Sequence, residues 1–326
     1  MYNNLVKAVL ANGGKIKPLI VPFESSQGTG QTNPSLYIEN KKIYVNLRNV
    51  QYVLLHSEND QNFQSRYGPL AYLNPENDIS LRTTNFYMEL YSNLEVKRFF
   101  KVDTSKLDIK PVWEFIGLED ARMVHWDRKW FLCGVRRDVK PDGEGRMELS
   151  EIKIDGNSVK EIDRHRIEPP NLPSYCEKNW MPVIDMPYHF VKWSNPTQVV
   201  KVDMENNVAD TVFLGEKVIQ GYGDWRGGSS VINWGENRVA IVHEVDLFHN
   251  ELGNKDAYYY HRFLVWDKKW NIVKLSDRFN FMTGHIEFCC GLGIIDDKML
   301  FTFGYQDNAA YIVEAPLKFM EGFING

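Results

Sequence analysis

Apolar residues in this chain come in short runs broken by turn-forming pairs, the pattern of β-hairpins rather than of helices. Residues 36–38 and 43–48 are strands flanking the turn Glu39-Asn40-Lys41-Lys42. Residues 51–56 extend that sheet, and 86–102 continue it. Met123-Val124-His125-Trp126, the turn Asp127-Arg128 and Trp130-Phe131-Leu132-Cys133-Gly134-Val135 form a second hairpin. Three more follow: 181–193 around Asp185-Met186-Pro187, 231–242 around Gly235-Glu236-Asn237, and 291–303 around Asp296-Asp297-Lys298. Helical periodicity is confined to the ends, over 1–11, stopped by Asn12-Gly13-Gly14, and over 317–323. Residues 17–22 read as a strand. Residues 24–30 read as a flexible loop, whose glycines do not stand between a strand and a helix as a dinucleotide-binding turn requires.

The hairpins repeat as a cassette. Each begins with a polar opening: Asn33-Pro34, Glu119-Asp120, Glu177-Lys178-Asn179-Trp180, Gly227-Gly228-Ser229-Ser230 and Glu287-Phe288. An outer strand follows each later hairpin, at 147–154, 199–202, 258–266 and 310–314. After the first copy the openings recur every 50 to 60 residues, roughly the length of a four-stranded propeller blade. The pattern therefore predicts an all-β chain, a five-bladed β-propeller with short terminal helices. A pair of β-sandwich domains is the competing arrangement, but no low-complexity linker divides the chain. The expected organisation is one domain over 1–326, with 1–32 as an N-terminal arm or closing strand and 316–326 as a C-terminal helix.

Composition changes this picture little. The 326 residues are 43% hydrophobic and 25% charged, with a net charge of −5, so nothing suggests a nucleic-acid surface. Aromatic residues reach 13%, which suits both sheet packing and sugar stacking. Cys133, Cys176, Cys289 and Cys290 form no CxxC pair and read as reduced thiols. There is no signal-peptide pattern, and no run reaches the roughly 18 apolar residues a membrane helix needs. The expectation is a cytoplasmic protein without a membrane span; the oligomeric state stays open.

In a propeller the innermost strands converge on one channel, so the openings would bring polar side chains together. Those side chains are Asn33, Arg48, Glu119, Asp120, Lys178, Asn179, Arg226, His243, Glu244, Glu287 and Asp307, with Trp180, Trp193, Trp225 and Tyr259 or Tyr260 nearby. Neighbours in a strand face opposite ways, so Glu119 and Asp120 cannot share a task. Carboxylates across a cleft suit glycosidic-bond chemistry, and cations suit an anionic co-substrate. Read alone, each residue has a plainer role: a charged turn for Glu119-Asp120, blade-to-blade ion pairs for Lys178 and Arg226, a core histidine for His243. No histidine pair has metal-ligand spacing, so no metal site is expected.

Together these motifs resemble glycoside hydrolase family 130, the five-bladed mannoside phosphorylases and hydrolases, and the related β-1,2-mannosyltransferases. The resemblance rests on Asn33-Pro34 with Arg48, Gly117-Leu118-Glu119-Asp120-Ala121-Arg122, Glu177-Lys178-Asn179-Trp180-Met181-Pro182, the Gly-Gly-Ser-Ser stretch leading to His243, and Phe303-Gly304-Tyr305-Gln306-Asp307. It implies an inverting enzyme acting on a β-mannoside-type bond of an oligosaccharide or glycan. Asp120 would be the general acid, and Asn33, Arg48 and Asp307 would hold the sugar, with Asn179, Trp180 and Glu287 counted with them. Glu119 belongs to the same set, although it is expected to turn into the framework and pair with Arg122. Lys178, Lys192, Arg226, His243 and Tyr260 would bind phosphate or another anion. No cofactor is implied beyond inorganic phosphate or a nucleotide sugar as co-substrate. Two departures leave the acceptor side open. Gly-Gly-Ser-Ser replaces a proline-rich stretch, and Glu-Lys-Asn-Trp with Tyr258-Tyr259-Tyr260-His261-Arg262-Phe263 is more similar to a divergent bacterial branch associated with glycosyltransferases. A sugar-binding propeller without chemistry is the alternative from another class.

Overall fold

A computed structural model describes residues 4–54, 63–65, 68–72, 81–171, 174–216, 218–219, 224–249, 251, 253 and 255–326. Among the described residues strands dominate, with three short helices, Leu5–Ala11, Phe23–Ser26 and Leu317–Asn325. The second helix overlaps the start of 24–30, the stretch expected to be loop. Two-residue turns shape the hairpins: Asn40-Lys41 and Asp127-Arg128 all have positive φ, from 48° to 65°, the twist that matches flanking strands.

The described strands fall into successive antiparallel units along the chain, the first two joined into one larger sheet by a parallel pairing of Val96–Asp103 with Ser158–Arg166. The first holds Gly30–Glu39, Lys42–Val50, Leu81–Leu90 and Val96–Asp103. The second holds Leu118–Trp126, Lys129–Arg136, Arg146–Asp155 and Ser158–Arg166. The third holds Met181–Pro182, His189–Ser194, Thr197–Asp203 and Val208–Leu214. In the fourth, Arg226–Gly227 and Ile232–Trp234 share one edge, followed by Asn237–His249, Lys255–Trp266 and Ile272–Leu275. The fifth holds Glu287–Ile295, Lys298–Tyr305 and Ala309–Pro316, and its outer edge is completed by Lys15–Pro18 from the N-terminal end. The strand expected at 17–22 is thus shorter and earlier. Tyr52–Leu54 belongs to a small separate sheet rather than to the first unit, and the rest of the extension expected at 51–56 lies outside the described residues.

Middle strands such as Lys298–Tyr305 are buried on both faces, which explains their continuous apolar runs. Each unit packs against the next. Val45 and Met88 of the first unit meet Leu300 and Ile312 of the fifth, and Tyr87 of the first meets Met123 and Leu132 of the second. Phe131 and Leu149 meet Phe190 and Val200, Val191 meets Val242 and Leu264, and Ile241 and Phe263 meet Cys289 and Phe301. The inner strands are therefore brought around one centre. All four cysteines are free thiols. No described helix is long and apolar enough to cross a membrane.

Candidate active site

Irregularities in the inner strands aim polar side chains at that centre. The pairing register slips between Thr32 and Ser35 and again between Glu119 and Arg122, and within these bulges Asn33 (φ 46°) and Asp120 (φ 49°) are left-handed. Asn179 (φ 60°) and Asp307 (φ 50°) adopt the same conformation at strand ends. Asn and Asp tolerate this region best among side-chain-bearing residues, and bulges commonly re-aim a side chain.

The four side chains line one cleft, with a cavity volume of about 200 Å³. Asp120 is its anchor. Its Oδ1 accepts hydrogen bonds from Asn33 Nδ2 and Arg48 Nη1, both at 2.8 Å. Arg48 is buried and also donates to Thr83 Oγ1 and to the Tyr52 hydroxyl, and lies 3.6 Å from Glu119 Oε2. Burial would raise the Asp120 carboxyl, but Arg48, Arg122, the Asn33 hydrogen bond and Lys178 hold it below the ordinary range, so it is ionised. Burial raises Glu119, with Arg48 opposing and Asp120 adding. Burial likewise pushes Asp307 up to about 6, with Arg48 opposing and Asp120 and Glu119 adding.

Another part of the lining is cationic. Lys178 and Arg226 line it, the latter 3.0 Å from Asp224, together with Arg137. His243, 3% exposed, stacks on Tyr259 and meets the edge of Phe288. Burial, reinforced by His261, Arg226, Arg122 and Lys178, pulls it well below the ordinary histidine range, so it is neutral near pH 7. Three buried atoms at this cleft have no hydrogen-bond partner among the described residues: Glu119 Oε1, Asn179 Oδ1 and His243 Nδ1. Buried polar atoms are normally satisfied, by protein, water or a bound molecule, so these three mark where the cleft's own hydrogen bonding is incomplete.

The expected site residues Asn33, Arg48, Glu119, Asp120, Lys178, Asn179, Arg226, His243 and Asp307 are brought together. Four others are not. Trp180 is 1% exposed in the core and donates Nε1–H to Glu177 Oε2. Lys192 is paired with the same oxygen at 2.8 Å and lies nearly buried. Glu287 is fully buried and accepts the backbone N–H groups of Phe281, Met282 and Gly284, closing a loop rather than facing substrate. Tyr260 sits beneath the Arg278 guanidinium; strand alternation puts its neighbour Tyr259 in the cleft instead. Glu244 and Trp225 bond each other in the interior, and Trp193 packs beside Lys192. Glu119 does not turn into the framework, since the register shift leaves both it and Asp120 lining the cleft, and Arg122 does not pair with it. Its Nε and Nη2 donate to Gly228 O at 3.0 and 2.8 Å and its Nη1 to Asp120 O at 2.6 Å, which ties the second unit to the fourth.

Arg137, Tyr52, Phe115 and Phe288 line the cleft without having been expected there. Arg137 had a signal: it stands just past the second strand of its unit, as Asp307 does past Tyr305. Among the described residues, Glu151, Asp163 and His165 could converge on a metal ion on the outer strands of the second unit, but Lys129 Nζ already stands 2.8 Å from Glu151.

With this fold and cleft, the chain shares its architecture with solved mannoside-processing enzymes. No family model matches the sequence, and no curated protein matches it. Among solved structures, β-1,2-mannobiose phosphorylase from Listeria innocua, in complex with β-1,2-mannobiose, superposes with a TM-score of 0.58 at 13% identity, covering 95% of this chain and 96% of that one. A mannose phosphorylase from Leishmania mexicana, in complex with phosphate ion, gives 0.52 at 11% identity over 97% of this chain and 93% of its own. A third structure comes from work on glycoside hydrolase family 130 that describes hydrolases targeting β-1,2-mannosidic linkages in Candida mannan. It gives 0.55 at 10% identity over 89% of this chain and 85% of its own. The resemblance to that family thus extends to the whole fold, at a sequence distance that marks this chain as divergent.

Proposed function

We propose that the five units are the blades of a propeller, and that the cleft at their centre makes or breaks a β-mannoside-type glycosidic bond with inversion. Asn33, Arg48, Glu119, Asn179 and Asp307 hold the sugar. Lys178 and Arg226, beside neutral His243, hold inorganic phosphate. In cleavage a phosphate oxygen attacks the anomeric carbon, the glycosidic C–O bond breaks, and the proton carried by Asp120 passes to the leaving oxygen. In the reverse direction ionised Asp120 takes the proton from the acceptor hydroxyl as the sugar 1-phosphate loses phosphate. The lowered Asp120 carboxyl is prepared for that synthetic half, whereas cleavage requires the proton to be taken up in the substrate complex.

The observation that carries this reading is the set of unpartnered buried atoms from the second, third and fourth units, meeting beside a carboxylate held between Asn33 and Arg48. A second reading, transfer from a nucleotide sugar, is favoured by Arg137, which adds more positive charge than one phosphate needs. The deciding experiment incubates wild type and Asp120→Asn with β-mannobiose plus phosphate, and separately with nucleotide sugars and acceptors. Phosphate-dependent release of sugar 1-phosphate, lost in the variant, supports phosphorolysis. Turnover only with a nucleotide sugar replaces it by transfer. Glycan binding without turnover under either condition overturns the enzyme reading in favour of a binding protein.

A further inference from the structure

A second cavity lies behind the catalytic strand, in the groove between the first and second units. Its volume, about 370 Å³, exceeds that of the cleft and falls in the range that accommodates a small ligand. Its inner wall is polar: Thr83, Asn85, Arg136, Asp138, Ser150 and Glu161 are each less than a tenth exposed. Its rim carries exposed Lys101 and Ile109, so the groove opens to solvent.

The buried charges in the wall are largely spent on one another. Arg136 donates Nε–H to Glu148 at 2.6 Å, and its Nη1 stands 3.5 Å from Asp138 Oδ2. Arg164 donates to Glu161 at 2.6 Å and to Asp108 at 2.9 Å. Ser150 donates to Glu161 at 2.6 Å. Asp138 Oδ2 also accepts the Gly117 N–H at 2.9 Å. Two buried atoms stay unpartnered among the described residues. One is an acceptor, Asp138 Oδ1; the other is a donor, Arg164 Nε, which lies 4.0 Å from Glu148 without a hydrogen bond.

These leftovers define the ligand. A cation at Asp138 would sit against Arg136. An anion would face Asp138, Glu161 and Asp108, the guanidinium groups of Arg136 and Arg164 are already paired, and Lys101 stands only at the exposed rim. A hydroxyl group both donates and accepts, so a molecule carrying several can satisfy both atoms without bringing a charge in beside these ion pairs. We propose that this groove is a second binding site, taking a small neutral polyhydroxylated molecule, a monosaccharide or polyol. The site shares a wall with the cleft: Thr83 lines the groove and accepts from Arg48 Nε and Nη2 at 3.2 Å. Gly117 and Leu118, which also line it, run directly into Glu119 and Asp120.

The test is saturation-transfer NMR titration with mannose, mannitol and myo-inositol, and with inorganic phosphate and calcium as contrasting probes. The proteins are wild type, Asp138→Asn, Thr84→Trp and Asp120→Ala, each checked for folding by circular dichroism. Thr84 lines the groove and its side chain makes no described hydrogen bond or ion pair, so the tryptophan narrows the space without breaking one. The expected result is that at least one polyol binds, that its affinity falls at least tenfold in Thr84→Trp and severalfold in Asp138→Asn, and that binding persists in Asp120→Ala. Overturning results are binding by none of the polyols, which leaves the groove to water, binding indifferent to both groove variants, or binding of phosphate or calcium alone. Loss of sugar only in Asp120→Ala would place the sugar in the cleft, overturning the groove while leaving the proposed reaction standing.

Discussion

Asp120 and Glu287 are both carboxylates of inner strands, and the molecule uses them in opposite ways. Asp120 sits in a bulge, left-handed, with its charge held by Arg48 and Asn33. Glu287 sits in regular pairing with Tyr305 and spends its oxygens on three backbone N–H groups of its own connecting loop. The cations around Asp120 pull its carboxyl down, whereas burial pushes Glu287 up to about 6 despite those N–H groups. The bulge is what separates them: it takes a side chain out of the sheet's own accounts and offers it to the cleft.

The largest effect that would sharpen this contrast is on turnover. Asp120→Asn should lower kcat by about 10²–10⁴-fold, its main effect, while the urea midpoint falls as well because Arg48 loses its buried counter-charge; retained turnover would break the assignment. Glu287→Ala should do the reverse. It strands three buried donors and should cost about 3 kcal/mol of stability, read as a lower urea midpoint, while turnover at low temperature is kept. The third test is pH. The Glu287 carboxyl is raised in the fold from 4.5 to about 6, so it contributes fully below pH 4.5 and its contribution is lost as pH rises through 6. Asp120, lowered, does the opposite, losing its contribution as pH falls through its folded value. Glu287→Gln should therefore flatten the fall in stability between pH 4.5 and 6 by up to about 2 kcal/mol, measured by urea unfolding across that window. The smallest effect is at the cationic wall. Lys178→Met should raise KM for phosphate by about tenfold, near 1.4 kcal/mol, with little change in stability because the side chain is exposed. Lys192→Met, which breaks a pair with Glu177, should lower stability and leave that KM unchanged.

The strand order and the turns were legible because they depend on local chemistry. Asn40-Lys41 and Asp127-Arg128 adopt the positive φ their hairpins require, and the openings at Glu119 and Glu287 mark where inner strands begin, whereas Asn33-Pro34 lies inside its strand. Which face a side chain takes was less legible. Tyr259 and Tyr260 differ only by strand alternation, and a single-residue register decides which enters the cleft. Trp180 and Lys192 carry the residue types of a sugar-and-anion site, yet Glu177 claims both through contacts 3 and 15 residues apart in sequence that no spacing rule exposes. Glu119 and Arg122 fit a local ion pair, but the partner Arg122 finds is a carbonyl in the fourth unit, 106 residues away.

The strand Lys15–Pro18 has a kinetic consequence. It pairs with Tyr311–Glu314, so the outer edge of the fifth unit joins segments nearly the whole chain apart. Closing a loop ten times longer adds only about 2 kcal/mol of entropy, so the equilibrium tolerates the distance easily. The search time does not, since distant pairings slow folding. During synthesis Lys15–Pro18 waits until Tyr311–Glu314 has been made, and until the two meet the fifth unit presents an open row of backbone donors and acceptors to any neighbouring strand.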